Sequence, residues 1–202
     1  LEPYPSLLAL SSVHHHLIKK GLRTKCSIIV ETAEAREVHH FCLLGGYGAE
    51  AIFPYLALET LSKLNERNKK PSIQTKKLKE KSYVKAIGKG ILKVMSKMGI
   101  STFQSYNGAQ IFDAVGLSTK FVDGFFSGTK SLIEGVGFNE IIMEAINRHE
   151  EALKIIKKGS NRLDVGGEYS YRLKGEKHVW TPSSISSLQH SVREDDKNKY
   201  LE

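Results

Sequence analysis

Histidines, glycines and cysteines are the residues of this chain whose types and spacing first suggest chemistry. His14-His15-His16 and His39-His40 invite a metal reading. Consecutive residues on a helix point about 100° apart, so neighbours cannot close on one ion, and the i, i+4 spacing of helical zinc sites does not occur in either stretch. Packing and capping roles are expected instead. Gly46-Tyr47-Gly48-Ala49-Glu50-Ala51 fits the G-x-G-x-x-A dinucleotide pattern, but that turn needs a strand before it and a helix after it. Here the order is reversed, so the glycines predict a tight helix-to-strand connection. Gly88-Lys89-Gly90 falls mid-helix, where two glycines suggest the close approach of another backbone. Met98-Gly99-Ile100-Ser101-Thr102 joins a helix to a short predicted strand and then to the polar turn Gln104-Ser105-Tyr106-Asn107-Gly108. Ligands of α/β proteins gather at strand carboxyl ends and helix N-termini, which makes this segment a candidate ligand site. No Gly-x-Ser-x-Gly elbow is present, and neither Cys26 nor Cys42 sits in an activated setting.

These groups need elements to position them. Helical spacing marks Ser6 to Lys20, closed by Gly21, then Glu34 to Leu44, closed by Gly45-Gly46, and Tyr55 to Leu64. Between them, Lys25 to Glu31 reads as a buried strand and the short apolar stretch Ala49 to Phe53 as a second strand, an alternation that predicts a parallel α/β layer. Residues 66–77, with Pro71, read as a linker. A helix from about Lys77 to Met98 follows. Its apolar residues Val84, Ile87, Ile91, Val94, Met95 and Met98 share an arc of roughly 100°, opposite Lys85, Lys89, Lys93 and Lys97. Further on, the pattern predicts a strand over Ile100 to Tyr106 and short helices over Gly108 to Val115 and Thr119 to Phe126. A strand over Ser131 to Val136 and an amphipathic helix over Asn139 to Lys158 come next. A hairpin over Glu168 to Trp180 turns at Lys174-Gly175, and a final helix over Pro182 to Val192 is capped by Thr181 or Ser183.

The 202 residues suffice for one sizeable core or two small ones, and 26% charged residues argue against wholesale disorder. No apolar run approaches the ~20 residues that span a bilayer. Two cysteines exclude a disulfide framework and any three-cysteine cluster held by this chain alone, so a reducing compartment is the default. The opening at Leu1 and the charged close over Lys197 to Glu202 read as cuts in a longer chain. The net charge of +8 is concentrated: Lys63 to Lys97 holds twelve basic residues against Glu66 and Glu80. A solvated helix face accounts for most of this; a nucleic-acid module on Lys77 to Lys97 is the alternative, with only Tyr83 at hand for stacking.

Longer blocks carry a resemblance. His14-His15-His16-Leu17-Ile18 with Gly21-Leu22-Arg23, Glu34 to Phe41, and Gly46 to Ala49 with Pro54-Tyr55-Leu56-Ala57 resemble the glutamate synthase large (α) chain. So do Tyr83 to Gly90, Lys93 to Thr102, Gln104 to Tyr106, Gly108 to Phe112, Leu163 to Tyr169, and Leu188-Gln189-His190. In that family an amidotransferase domain with a terminal cysteine nucleophile releases ammonia from glutamine. Ammonia passes through an internal tunnel to 2-oxoglutarate, and the 2-iminoglutarate formed is reduced by FMN.

The resemblance implies an α/β fold: residues 1–65 as the end of a central α/β domain, 66–77 as linker, and 78–202 as the start of a (β/α)8 FMN-binding barrel. It implies FMN and a 3Fe-4S cluster in the parent chain, with the cluster ligands outside this segment. Its partners would be the remaining domains, a small NAD(P)H-oxidising subunit or ferredoxin, and the substrates glutamine and 2-oxoglutarate, without nucleic acid or membrane. The compartment would be the cytoplasm, or a plastid in a photosynthetic eukaryote. By position, Met98, Gly99, Ile100, Ser101 and Thr102 would border the flavin at the end of the first barrel strand, where Gly99 and Ile100 backbone groups would tune it. Glu134 would act catalytically near the tunnel exit, taking a proton from ammonium or holding ammonia, unless it is a surface ion-pair glutamate. Gln104 and Tyr106 would contact substrate or flavin. The isolated segment would be inactive; a non-catalytic scaffold of the same fold is the competing reading.

Overall fold

The computed structural model describes residues 4–66, 73–157 and 165–201. The chain divides into two compact units, Leu1–Glu150 and Glu151–Glu202.

The first unit begins with helix α1 (Ser6–Lys19), a 3-10 turn at Arg23–Lys25, strand β1 (Ile29–Glu31), α2 (Val38–Gly46), β2 (Ala51–Phe53) and α3 (Tyr55–Glu66). It continues with α4 (Ile73–Met98), α5 (Phe103–Tyr106), β3 (Asp113–Leu117), α6 (Thr119–Phe125), β4 (Lys130–Val136) and the start of α7 (Phe138–Lys157). β1 pairs in parallel with β2, Val30 opposite Ile52, and β3 in parallel with β4, Ala114 opposite Ser131. Parallel neighbours need a crossover, and α2 and α6 supply one each. The expected alternation is therefore present, as two separate βαβ pairs, but β1 starts only at Ile29 and is not the buried strand expected, Ile29 being 70% exposed.

Helices α1, α2 and α4 end in the same way. A glycine in the left-handed region follows the helix, and two amides fold back on its last carbonyls. Gly21 (φ +64) and Leu22 donate to Ile18 and Leu17, while Gly48 (φ +107) and Ala49 donate to Gly45 and Leu44. Gly99 (φ +69) and Ile100 donate to Ser96 and Met95. Gly45 and Gly46, expected to stop α2, lie inside it. A Cβ at Gly45 would sit 3.3 Å from the Phe103 ring and one at Gly46 2.6 Å from Phe112, so their smallness serves contact rather than termination.

Leu8, Phe41, Leu44, Ile87, Phe121 and Phe126 form the main core. Beside it Cys42, Met95 and Tyr106 form a second cluster. On α4, Ile87 and Met95 are buried, Ile91 and Val94 half-buried, and Lys81, Lys85, Lys89, Lys93 and Lys97 exposed, as periodicity predicts, whereas Val84 and Met98, expected on the buried stripe, are 62% and 48% exposed. Adjacent lysines four apart each weaken an isolated helix by ~0.2–0.5 kcal/mol, so the packed face holds α4 together. Gly90 meets the Val38 side chain rather than a backbone, and Gly88 faces open space. Residues 73–77, assigned to the linker, are helical, and 67–72 lie outside the described residues.

Two expectations between β2 and β4 fail for one reason. Ile100 to Tyr106 is not a strand, and Gly108 to Val115 is not a helix. The β-branched Ile100 is spent closing α4, and Thr102 accepts a hydrogen bond from Ser105 N at 3.3 Å to cap α5. Beyond α5, Gly108 N donates to Gly45 O (3.2 Å) and Gln110 N to Gly46 O (3.0 Å), with both residues at positive φ. Anchored on α2, this segment enters β3 only at Asp113. Tertiary hydrogen bonds override local propensity here. No strand therefore ends at Met98 to Thr102.

In the second unit, α8 (Pro182–Glu194) begins with a reciprocal cap. Thr181 Oγ1 accepts from Ser184 N at 3.1 Å, and Ser184 Oγ accepts from Thr181 N at 2.8 Å. A short α9 (Lys197–Leu201) follows. The expected Glu168–Trp180 hairpin is absent among the described residues, although its reversal stands: Gly175 N donates to Arg172 O at 2.9 Å, beside Lys174 at φ +64. Gly166 and Gly167, both at positive φ, bend the incoming chain. Glu176 N then closes a loop on Gly166 O at 2.8 Å instead of extending a ladder.

Candidate functional site

Glu134 lies in β4, at the carboxyl end of the β3–β4 pair. Its carboxylate accepts from Thr119 N at 2.9 Å and, through the other oxygen, from the Thr119 hydroxyl. Ser118, the N-cap of α6, donates its amide to Val136 O at 2.9 Å, which draws the two strand ends together. Glu140 does for α7 what Glu134 does for α6, accepting from Gly137 N at 2.8 Å. The Thr119 hydroxyl, then its amide, hold Glu134 below the usual carboxylate range. The group is thus an exposed, fixed anion at neutral pH, and its hydrogen bonds are made to a helix N-terminus rather than to a surface cation.

The other expected site residues are not gathered around it. Met98 to Thr102 close α4 and open α5, and the amides of Gly99 and Ile100 are engaged by Ser96 and Met95. Gln104 is exposed on α5. Tyr106 is fully buried and donates its hydroxyl to Cys42 O at 2.9 Å; burial pushes its pKa upward. A cleft of about 270 Å³ beside α4, lined by Phe41, Ile52, Tyr83 and Ile87 among others, includes none of these residues.

A polar hub carries more of the described architecture than any of them. Arg23 Nε donates to His14 Nδ1 at 3.0 Å and Nη1 to Cys26 O at 2.9 Å. Nη2 serves both Gly48 O at 2.9 Å and Glu50 Oε1 at 3.1 Å. Asn107 Nδ2 donates to Ala49 O at 2.7 Å, and Gln110 Nε2 to His15 Nε2 at 3.1 Å. Together these bonds tie α1, the α2–β2 turn and the 107–110 segment. Arginine has no acceptor, so His14 must present a bare Nδ1 and be neutral. Burial, with the charges of Arg23 and His15, pushes its pKa down to about 4. His14, His15 and His40 thus accept hydrogen bonds and His39 packs edge-on against Phe112, and among the described residues no group of three His, Cys, Asp or Glu is placed for a metal. Motif spacing does not single out Arg23, although Gly21-Leu22-Arg23 places a basic group just past a helix end.

The depressed His14 pKa sets a pH dependence. The unfolded histidine binds a proton near 6.5 and the native one only near 4, so the stabilisation is complete above about pH 6.5. It declines as pH falls toward 4, by about 3 kcal/mol in all. Hydrogen exchange of residues 44–50, corrected for intrinsic rates, should accelerate between pH 6.5 and 4.5 in the wild type. The acceleration should be much smaller in His14→Gln; equal slopes would exclude His14 as the titrating group.

Residues 2–118 match the family model described as glutamate synthase central domain. The chain is 49% identical over 200 residues to the glutamate synthase (NADPH) large chain of Bacillus subtilis, covering 99% of this chain and 13% of that protein. It is 47% identical over 198 residues to the glutamate synthase (NADH) of Saccharomyces cerevisiae, covering 93% and 9%. Against the ferredoxin-dependent glutamate synthase of Pyropia yezoensis it is 42% identical over 198 residues, covering 94% and 13%. The chain thus spans a small part of the length of the relatives it matches. Among the described residues no helix is long and apolar enough to cross a membrane.

Proposed function

Since the chain belongs to the glutamate synthase family, with residues 2–118 matching its central domain, we propose that it works as part of a large chain making two L-glutamate from L-glutamine and 2-oxoglutarate. The observation that carries this reading is similarity over nearly the whole chain to enzymes using three different electron donors. The donor here is accordingly proposed only as a class, NAD(P)H through a small subunit or reduced ferredoxin. The compartment that follows is the cytoplasm or a plastid.

The barrel is proposed to include the β3–α6–β4–α7 run, within the 78–202 span that the resemblance implies for it, although the central-domain model reaches residue 118 and so takes in β3. Supporting this, Val115, Leu132 and Ile133 are 72%, 84% and 59% exposed, as apolar strand residues are when further elements of a sheet or barrel are needed to cover them. FMN, when bound, would supply the reduction of 2-iminoglutarate. The fit of Met98 to Thr102 to it is partial: with the Gly99 and Ile100 amides engaged, the segment offers the Ser101 hydroxyl and the electronegative end of α4. That suits an N–H edge of the flavin ring and not its phosphate. Cys26 and Cys42 do not suit a 3Fe-4S cluster, because Cys42 is buried and burial pushes its thiol pKa up. Gln104 remains free to reach substrate, whereas Tyr106 would act only by holding α5 on α2.

Glu134 is proposed to hold ammonia or ammonium by charge at the strand ends. Its lowered pKa favours that role over taking the proton itself. The first test is turnover of the full reading-frame product on glutamine and 2-oxoglutarate, alongside its visible flavin spectrum. Neither glutamate formation nor a flavin spectrum would leave the scaffold reading. In the active chain, Glu134→Gln should lower glutamate formation by about 100-fold while glutamine hydrolysis persists. Unchanged turnover would reduce Glu134 to the cap of α6.

A further inference from the structure

The outer face of α4 is exposed, as its periodicity predicts, and it combines charge with apolar side chains. Lys81, Lys85, Lys89, Lys93 and Lys97 are all exposed, and no ion pair with a described residue engages them. At 100° per residue they occupy one arc of the helix, and the row spans about 24 Å. Inside the same arc stand Leu78 and Leu92, 65% and 64% exposed and two heptads apart. Two leucines within a lysine row give the face an apolar as well as a charged contact surface, and an acidic occupant would relieve the repulsion between neighbouring lysines.

We propose that this face docks an acidic amphipathic helix of a protein partner. Carboxylates four residues apart on a helix rise about 6 Å per step, and a helix crossing α4 at about −50° sets such a row parallel to the lysines, so its carboxylates can meet the middle of the row, Lys85, Lys89 and Lys93. Apolar residues on its inner face would cover Leu92. A nucleic acid fits less well. The row contains no arginine for bidentate phosphate contact. The one nearby ring, Tyr83, donates its hydroxyl to Arg36 O, packs edge-on against Phe41 and lies outside the lysine arc, so it is not placed to stack a base along the row.

The test uses the full-length large chain and a labelled 24-residue helical peptide with Glu at every fourth position and Leu at every seventh. Its comparators are a peptide of the same composition with the charges clustered, and a 24-nucleotide single strand. The spaced peptide should bind at least tenfold tighter than either comparator, more weakly as salt rises. Lys85→Gln/Lys89→Gln/Lys93→Gln should weaken it at least tenfold and Leu92→Ala severalfold, with glutamate formation unchanged by the lysine replacements. Binding is read separately from turnover, so failure here leaves the enzymatic reading standing. Equal binding of the two peptides, preference for the oligonucleotide, or indifference to the substitutions would overturn the proposal. So would lysines shielded from an amine-reactive reagent in the free chain, because the parent's own domains would then cover this face.

Discussion

Gly135→Ala should unzip β4 from β3. A Cβ at position 135 would fall inside the van der Waals envelope of the Gly116 carbonyl oxygen, its carbon and its Cα. All three are backbone atoms, and Gly116 is held at φ +75, so nothing nearby can swing aside as a side-chain tip would. The strands must separate or shift register. Forced overpacking against backbone costs about 3 kcal/mol or more, a factor of more than 100 in local opening. Hydrogen exchange of residues 113–117 and 130–136 in the full-length chain should therefore lose about 100-fold in protection. Gly124→Ala on α6 is the control: nothing lies within 4 Å of its Cβ and its φ is not positive, so it should be neutral or slightly stabilising. Protection within threefold of wild type in Gly135→Ala would mean that the close pairing of the two glycines is not maintained in solution. Because Glu134 and the Ser118–Val136 hydrogen bond flank the same approach, the substitution should also release the cap on α6 and lower glutamate formation.

The second large effect belongs to Gly48→Ala. Two penalties coincide there: φ of +107, which L side chains rarely adopt, and a Cβ that would collide with the His14 ring. His14 cannot retreat without surrendering the hydrogen bond from Arg23 Nε, and Gly48 O is itself an acceptor for Arg23 Nη2. Steric and polar costs therefore add to about 3 kcal/mol or more. With its guanidinium engaged at four acceptors, Arg23 is guarded from trypsin; freed in the variant, it should be cut at least tenfold faster at the Arg23–Thr24 bond. His14→Ala/Gly48→Ala should not recover the wild-type rate, since removing the ring relieves the collision but leaves the backbone strain. Full recovery would assign the whole effect to the collision.

Where local signals were strong, sequence and structure agree. Leu7 to Ile18 ending at Gly21, the apolar stripe from Ile87 to Met95, Ile141 to Leu153, and Thr181 before Pro182 each gave an element of the expected type with ends within a few residues. The strand holding Glu134 was also legible. The errors cluster where a residue's partner is far away in sequence. Gly45 and Gly46 read as stops because their contacts, Phe103 and Phe112, lie nearly sixty or more residues downstream. Ile100 to Tyr106 read as a strand because nothing local reveals that the amides beyond Gly99 fold back on α4, or that Tyr106 reaches Cys42 O.

The same division holds for the candidate site. Blocks such as Tyr83 to Gly90 and Lys93 to Thr102 tie the chain to its family by residue identity alone, which needs no coordinates. Glu134 could be named from its position in such a block, but only the tertiary structure shows its carboxylate held by Thr119 and therefore kept ionised. The Arg23 hub, with acceptors at positions 14, 26, 48 and 50, is likewise a product of folding. Helix periods and caps are written within a few consecutive residues, so the sequence alone determines them. Hydrogen-bond partners, buried charge and bare faces depend on which distant segments meet, and that is decided only when the chain packs.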